Sequence, residues 1–374
     1  MANQDPIRVA VVGTGFFGYH HLRVYRALES ECNVLPVAAV DGNPITAKAI
    51  AAEYGIPTFT SIEEMLAADL GIQAASLCVP TLHHARLGLQ LLNAGIDLLV
   101  EKPIASTIEE ADALVATAAA NNRILQVGHL ERFNVSVMAV VPYLHEPMFF
   151  EAHRLSVFGT RSLDVDVVLD LMIHDLDIVL DFVRSPVAEV RAVGLPVLSN
   201  KTDIANVRVE FANGCNANFT ASRVSTEKVR KLRFFQPRQY LSIDLARQEL
   251  LIINVAGAAA FSPSPGPAMG PASGPSVGPA PGPPPAASSS ADAFAAAQLA
   301  AHPSAGLSIL KVPVEPKEPL FLELASFIGA VRYRKTPVVT GKQARDVLEL
   351  ALDINRKIAE HSIHARLDRF IPEK

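Results

Sequence analysis

An α/β domain built on a doubly wound parallel sheet, followed by an α+β domain with a large, mainly antiparallel open sheet, is the fold this sequence predicts. Three observations lead there. A glycine-rich turn, Gly13-Thr14-Gly15-Phe16-Phe17-Gly18, sits between a β-rich run and a helical stretch. From it to residue 127, strand-like and helix-like stretches alternate at a regular pitch, the pattern of parallel βαβ units. Beyond residue 128 the alternation stops, and strand-like runs follow one another across short connections. The domains read from this shift are 1–127 and 128–374, and 374 residues with 49% hydrophobic content are ample for two cores.

Ile7–Val12 supplies the first strand and Tyr19–Leu28 the helix after the glycines. That is the setting a Gly-x-Gly-x-x-Gly dinucleotide site requires. Gly13 makes the tight turn, Gly15 lets the backbone approach a pyrophosphate, and Gly18 lets helix and strand pack closely, with phosphates on the helix N-terminus. Thr14, Phe16 and Phe17 share the turn and are cofactor-side candidates with the glycines. A second β-rich run, Val34–Val40, ends at Asp41, near the spacing at which a carboxylate takes ribose hydroxyls. Asp41 would repel the 2′-phosphate of NADP, and Gly42, Asn43 and Pro44 offer no arginine to hold it, so the favoured cofactor is NAD. The bland reading of Asp41, a cap on the next helix, is compatible with that contact.

The alternation continues. Ser61-Ile62-Glu63-Glu64 and Ser106-Thr107-Ile108-Glu109 have the Ser-x-x-Glu form of a capping box and open helices. Between them the strand Ala74–Val79 ends at Pro80-Thr81-Leu82-His83-His84. Pro80, Thr81 and His84 are therefore placed at the same crevice, His84 as a cofactor-side or structural residue rather than a base. The next strand, Asp97–Val100, runs into Glu101-Lys102-Pro103. A lysine at such a strand exit projects into the crevice that these sheets use for ligands, and Pro103 restricts Lys102 to an extended conformation. Alone, the tripeptide reads slightly better as a surface lysine in a strand-to-helix loop, and it is the motifs on either side that favour the crevice. Ile124–Val127 closes the domain.

In the second part, Phe149–Val157, Val187–Val193, Ala205–Phe211, Asn216–Ala221, Val229–Phe235, Tyr240–Leu245 and Glu249–Val255 read as strands, with Ala212-Asn213-Gly214 a hairpin signal. A helical stretch, Val167–Phe182, interrupts them. Asp170 and His174 share a face there, and a carboxylate beside an imidazole orients it and raises its basicity. Three readings compete: Asp170, His174, Asp177 and Asp181 as metal ligands, His174 as a satisfied structural histidine, or His174 as a proton acceptor. The dinucleotide signature favours the last, and no metal is expected. Residues 256–305 are rich in Pro, Ala, Gly and Ser, with Gly-Pro at 266, 270, 274, 278 and 282, a four-residue period that excludes a collagen register. This stretch reads as a flexible insertion without a catalytic role. Leu307–Val312 could rejoin the sheet, and amphipathic helices at 319–332 and 342–360 follow.

With 33 basic and 38 acidic residues and a net charge of −5, the chain has no electrostatic footprint for nucleic acid. Three cysteines, far apart, make neither a disulfide framework nor a Cys-x-x-Cys site. The N-terminus lacks the basic and apolar regions of a signal peptide, and no apolar run is long enough for a bilayer. The expectation is a cytoplasmic protein with no membrane or nucleic-acid partner.

The glycine turn, Pro80-Thr81-x-x-His84, Val100-Glu101-Lys102-Pro103, Gly128-His129 and Leu169-Asp170-x-x-x-His174-Asp175-x-Asp177 occur in this order. Together they resemble the Gfo/Idh/MocA family of oxidoreductases, over almost the whole chain except the Gly-Pro insertion. The resemblance implies a Rossmann domain for NAD(P), a substrate domain with an open sheet, and a catalytic set of Lys102, Asp170 as its carboxylate and His174 as general acid/base. Glu101 and Lys102 would also border the cofactor. Val127-Gly128-His129-Leu130-Glu131-Arg132-Phe133-Asn134 and Arg230-Lys231-Leu232-Arg233-Phe234-Phe235-Gln236 further resemble the subgroup that oxidises the C3 hydroxyl of UDP-N-acetylglucosamine, ahead of amination for lipid A. Where family members often carry glycines before the histidine helix, this chain has Asp164-Val165-Asp166-Val167-Val168.

On this reading the substrate side comprises Lys102, His129, Arg132, Asn134, Arg161, His174 and Arg223. Arg154, Lys228, Arg230, Lys231 and Arg233 are further partners for a diphosphate, a solvated basic strand being the alternative. An inositol or simple-sugar dehydrogenase is the runner-up, and a non-catalytic NAD-binding sensor or partner protein the reading from another class. A sheet uncovered on one face leads us to expect a homo-oligomer.

Overall fold

The computed structural model describes residues 5–159, 165–255 and 307–367. Arg161 and the 256–305 insertion therefore lie outside the described residues. The first sheet consists of β1 (Ile7–Val12), β2 (Val34–Val40), β3 (Thr58–Phe59), β4 (Ala74–Leu77), β5 (Asp97–Glu101) and β6 (Leu125–Gly128). All its pairs are parallel, in the order β3-β2-β1-β4-β5-β6. The order reverses between β1 and β4, which opens a crevice at the carboxyl ends of the strands.

A parallel sheet needs cover on both faces. The connecting helices α1 (Phe16–Cys32), α2 (Pro44–Tyr54), α3 (Ile62–Ala67), α4 (His84–Asn93) and α5 (Ile108–Ala120) supply part of it. The rest comes from far along the chain. After two short helices, α6 (Val135–Val140) and α7 (Ile173–Val183), the C-terminal pair α8 (Pro319–Tyr333) and α9 (Gly341–His364) returns to the first sheet. Leu324 and Phe327 of α8 pack with Leu22 and Leu28 of α1 on one face, and Ala344 and Leu348 of α9 pack with Leu91 and Leu114 on the other. Arg334, just past α8, donates to the buried carboxylate of Asp97 on β5 at 2.6 Å and clips the return in place.

Ser61 caps α3 as expected, accepting from the Glu64 N–H at 3.2 Å. The second capping box starts one residue later than its sequence suggested. Thr107, not Ser106, accepts from the Glu110 N–H at 3.2 Å, because the Glu110 carboxylate holds the Ser106 N–H at 2.9 Å and keeps that residue outside the helix.

The second sheet contains β7 (Phe149–Val157), β8 (Val187–Leu195), β9 (Ile204–Phe211), β10 (Asn216–Ser225), β11 (Val229–Gln236), β12 (Gln239–Asp244), β13 (Glu249–Val255) and β14 (Leu307–Val312). Its order is β14-β13-β12-β11-β7-β10-β9-β8, antiparallel throughout except for the central pair β7 and β10. Gly214, with φ +85°, turns the β9–β10 hairpin. Strand alternation gives the sheet two unlike faces. One packs Phe150, Phe219, Phe234 and Ile252 under α7 and α9. The other leaves Val193, Leu195, Phe235, Val255, Leu307 and Ile309 exposed. Among the described residues no helix is long and apolar enough to cross a membrane.

Candidate active site

Two clefts meet at the crevice. The first, of about 440 Å³, is lined by Gly13, Gly15, Asp41, Gly42, Cys78, Pro80 and their neighbours. Gly13 adopts φ +84°, and a Cβ there would lie 2.7–2.8 Å from Val79 and the Cys78 backbone. A Cβ on Gly18 would come within 1.8 Å of the Gly13 carbonyl oxygen, so α1 can lie on β1 only with glycine at that position. At Gly15 the opposite holds: a Cβ would meet nothing within 4 Å, and this residue caps α1 without a side chain. Open backbone at a helix N-terminus fits a pyrophosphate. Asp41 accepts from Thr14 N and Oγ1 at 2.9 and 2.8 Å and from Asn43 N at 2.9 Å, which fixes its carboxylate at the end of β2. It does not cap α2; Asn43 does, through Ile45 N at 3.0 Å.

His84 does not line this cleft. It is buried, with Nδ1 and Nε2 each 2.9 Å from a carbonyl oxygen, of Pro103 and Val79 respectively. The ring braces the exits of β4 and β5, and its neighbour His83 is the histidine on the cleft wall. Thr81 opens a short 3-10 turn and also stays off the wall.

The second cleft, of about 410 Å³, gathers Glu101, Lys102, Asp170 and His174 with Phe17, Glu131, Arg154 and Arg230. Lys102 extends from β5, its bond to Pro103 being cis. Its Nζ donates to the Asp170 carbonyl oxygen at 2.8 Å and lies 3.8 Å from the Asp170 carboxylate. Burial lowers the Lys102 pKa, with the charges of Asp170 and Glu101 opposing. Glu101 in turn lies 3.0 Å from His21 Nε2. Burial alone would raise the Glu101 pKa, but the His21 hydrogen bond and the nearby charges of His21 and Lys102 bring it below its ordinary value.

The expected pairing of Asp170 with His174 is not formed. Residues Val168–Met172 make a turn of π-helix before α7, anchored by Asp166, whose Oδ1 accepts from Val168 N and Leu169 N at 2.9 and 3.1 Å. This wider turn gives Asp170 to Lys102, and His174 Nδ1 is buried without a hydrogen-bond partner. The His174 pKa sits well below the ordinary histidine value, from burial first and then from the positive charges of Lys102, Arg154 and Arg230. Its ring is therefore a neutral base at neutral pH. His129 is buried behind it and is pushed down to about 3 by burial, Arg132 and Lys102.

Under the cleft lies a buried ionic clamp. Arg154 on β7 donates to both carboxylate oxygens of Asp175, at 2.9 and 2.7 Å, and to Glu131 at 2.9 Å. Arg230, beside it on β11, reaches the same Glu131 oxygen at 3.5 Å and remains partly exposed to the cleft. Of the basic strand, Arg230 alone faces inward: Lys231 and Arg233 pair with His153 and Glu151 across the ladder and project from the opposite face, as strand alternation requires, and Lys228 is exposed in the turn before β11.

Three residues expected on the substrate side are consumed elsewhere. Arg132 lies off this cleft, paired with Asp177 and Asp181 at 3.4 and 3.0 Å, and among the described residues Asp170, His174, Asp177 and Asp181 do not bring their ligand atoms together around one point. Asn134 caps α6 and spends its amide on Glu131 and the Leu245 carbonyl, at 3.2 and 2.9 Å. Arg223 is buried between Asp203 and the Val165 carbonyl, tying β10 to the π-turn. Sequence reasoning missed His20, Arg23 and Glu318, which line the cleft near Phe17, Arg23 and Glu318 forming an ion pair. The paired histidines after the glycine turn were a signal for α1; Glu318 arrives from the far end of the chain and gave none.

A glycine turn at a topological switch point, with a lysine and a neutral histidine in the adjoining cleft, defines a nucleotide-dependent oxidoreductase fold. Residues 7–129 match the oxidoreductase family model for an NAD-binding Rossmann fold, and residues 132–238 match the GFO/IDH/MocA C-terminal domain. The chain belongs to the Gfo/Idh/MocA oxidoreductase family. It is 36% identical over 265 residues to the UDP-N-acetylglucosamine 3-dehydrogenase of Acidithiobacillus ferrooxidans, covering 70% of this chain and 80% of that one. A solved structure of that enzyme superposes with a TM-score of 0.77 at 29% identity, over 95% of this chain and 98% of the other. The scyllo-inositol 2-dehydrogenase (NAD(+)) of Bacillus subtilis is 24% identical over 239 residues, 59% of this chain and 69% of its own.

Replacing Arg154 by Met would leave Asp175 buried without its counter-ion and Glu131 with only the longer contact to Arg230. We expect a loss of about 3–5 kcal/mol in denaturant unfolding, whereas Arg233→Met on the outer face should change stability by less than about 1 kcal/mol.

Proposed function

We propose that this chain oxidises a secondary hydroxyl of a sugar with NAD, the substrate being UDP-N-acetylglucosamine at C3, as a step toward a lipid A or surface-polysaccharide precursor. Residues 1–127 serve as the cofactor domain and 128–374 as the substrate domain. The observation that carries the reading is the meeting of Lys102 and a neutral His174 in one cleft beside the nucleotide cleft. The sugar assignment is supported by the relative that shares 36% identity and by Arg230, a cation open to the cleft and suited to a diphosphate.

In this reading His174 takes the hydroxyl proton on Nε2, its Nδ1 being buried. Lys102 donates to the same oxygen as charge develops there, while Asp170 holds the lysine by its backbone carbonyl and carboxylate. NAD, when bound, supplies the hydride acceptor, with Asp41 on the ribose and the Gly15 backbone on the pyrophosphate. Glu101 and His21 fix the β5 exit and hence the lysine. The runner-up substrates are inositols and simple sugars.

The deciding assay follows absorbance at the NADH band with NAD and a panel of UDP-sugars, free hexoses and inositols, with a keto-trapping aminotransferase present. A signal confined to UDP-N-acetylglucosamine supports the proposal; one from free polyols moves the assignment to the runner-up. Lys102→Ala and His174→Ala should each keep NAD affinity and lose about 10²–10⁴-fold in turnover. Unchanged turnover in both would remove them from the chemistry.

Because the His174 pKa is depressed, the catalytically competent neutral form persists below the ordinary histidine range. The acid limb of kcat/KM for oxidation should therefore fall only at pH below about 6.5, as protonation removes the base. A limb centred above that value would exclude His174 as the titrating group.

We further propose that the exposed apolar positions on the outer face of the second sheet pair two copies of the chain. Light scattering should then give at least twice the 40.0 kDa chain mass, and a monomeric mass would contradict it.

A further inference from the structure

The catalytic cleft has a cationic wall that the proposed chemistry leaves idle. Phe17, His20 and Arg23 lie three residues apart along α1, each a neighbour of the last on the helix surface, and all line the cleft. Arg23 stands two turns beyond Gly15, about 12 Å along the helix axis, so the anion it meets is not a cofactor pyrophosphate at the helix N-terminus. Its guanidinium is paired with the carboxylate of Glu318.

Glu318 is an unusual partner. It sits at the N-cap of α8, where a side chain ordinarily accepts from the first N–H groups of the helix, yet it makes no such bond. The backbone before it is fixed: Lys317 N donates to Gln248 Oε1 at 2.9 Å, and Gln248 Nε2 donates to the Lys317 carbonyl oxygen at 2.8 Å, which ties the start of α8 to the turn between β12 and β13. The Glu318 side chain is therefore not needed to hold the helix and is turned to Arg23. Both members of the pair stay open to solvent, with side chains 43% and 44% exposed, against 2% for Arg154 in the buried clamp. A pair so exposed contributes at most about 1 kcal/mol and exchanges readily. Arg230 is held as loosely, by its long contact to Glu131. Of these cations, Lys102 and Arg154 are committed inside the fold, whereas Arg23 from the first domain and Arg230 from the second face the cleft on weak contacts.

We propose that Arg23 is a specificity residue for a diphosphate-bearing substrate and that Glu318 stands in for the substrate anion until it binds, a role that rests on the nucleotide-sugar reading given above. One diphosphate would meet Arg230 from one domain and Arg23 from the other, since the guanidinium fork matches phosphate oxygens. The Glu318 carboxylate would be released to water. The exchange is favourable in charge, because a diphosphate carries more negative charge than one carboxylate. An inositol or free sugar offers neither guanidinium a counter-ion and leaves the Arg23 and Glu318 pair closed.

The test is isothermal titration calorimetry of UDP into the full chain saturated with NADH, which keeps UDP out of the cofactor cleft, together with KM for UDP-N-acetylglucosamine. Arg23→Met should weaken UDP about tenfold or more. Glu318→Gln, which removes the competing charge and keeps the shape, should tighten it about two- to fivefold, with KM moving in the same sense as the dissociation constant in each variant. The opposite signs separate this role from a structural one: if the pair only held α1 to α8, breaking it from either side would shift UDP binding in one direction or not at all, and either result would overturn the proposal. Turnover of UDP-N-acetylglucosamine with UDP affinity unmoved in both variants would overturn it and leave the nucleotide-sugar reading intact. A wild-type chain that neither binds UDP nor oxidises the nucleotide sugar would overturn both.

Discussion

The guanidinium of Arg154 is the joint on which the catalytic cleft depends. It rises from β7 of the second sheet and holds Glu131, which follows the last strand of the first sheet, and Asp175, which adjoins His174. One side chain thus fixes the two sheets and the histidine helix relative to one another. A buried pair of this kind contributes little net stability against an apolar equivalent, yet removing one partner strands the others. Its value here is positional: it sets His174 against Lys102, which arrives independently from β5.

That division explains why the polar side chains around the cleft are so unequal. Burial makes each charge find a partner, and partners inside the fold are met first. Arg132, Asn134 and Arg223 are satisfied by Asp177 and Asp181, by Glu131 and the Leu245 carbonyl, and by Asp203 and the Val165 carbonyl. Arg230 shares an oxygen that Arg154 already holds, at a longer distance, and is the cation left over for a ligand.

What could be read in the sequence was whatever is decided locally. The glycine turn, the strand and helix alternation and the Glu-Lys-Pro exit carry their reasons within a few residues, so the six-stranded sheet, its crevice and Lys102 were legible. The strands of the second sheet were legible for the same reason, since alternation is a short-range signal. Long-range pairing was not. Asn134 looks like a sugar ligand beside Gly128-His129 because its acceptor, the Leu245 carbonyl, is over a hundred residues away. The return of α8 and α9 to the first sheet likewise rests on packing that no window of sequence contains. The π-turn before α7 was missed because one extra residue per turn leaves the apolar pattern almost intact while moving Asp170 from the histidine to the lysine.

That displacement changes the logic of the base. An imidazole bonded to a carboxylate is made more basic and tends to hold its proton, whereas His174, with Nδ1 buried and unpartnered among Lys102, Arg154 and Arg230, is made less so. The carboxylates are not missing; Glu131 and Asp175 are turned toward Arg154, and Asp170 toward Lys102. Each anion therefore faces a cation, and the histidine is left with the outer, positive side of those pairs. In the proposed reaction this keeps the acceptor empty before the step, and it places Lys102 where negative charge grows on the substrate oxygen. The same field disfavours a protonated His174 afterwards, so the proton must pass on to solvent or to a second acceptor before the next turnover.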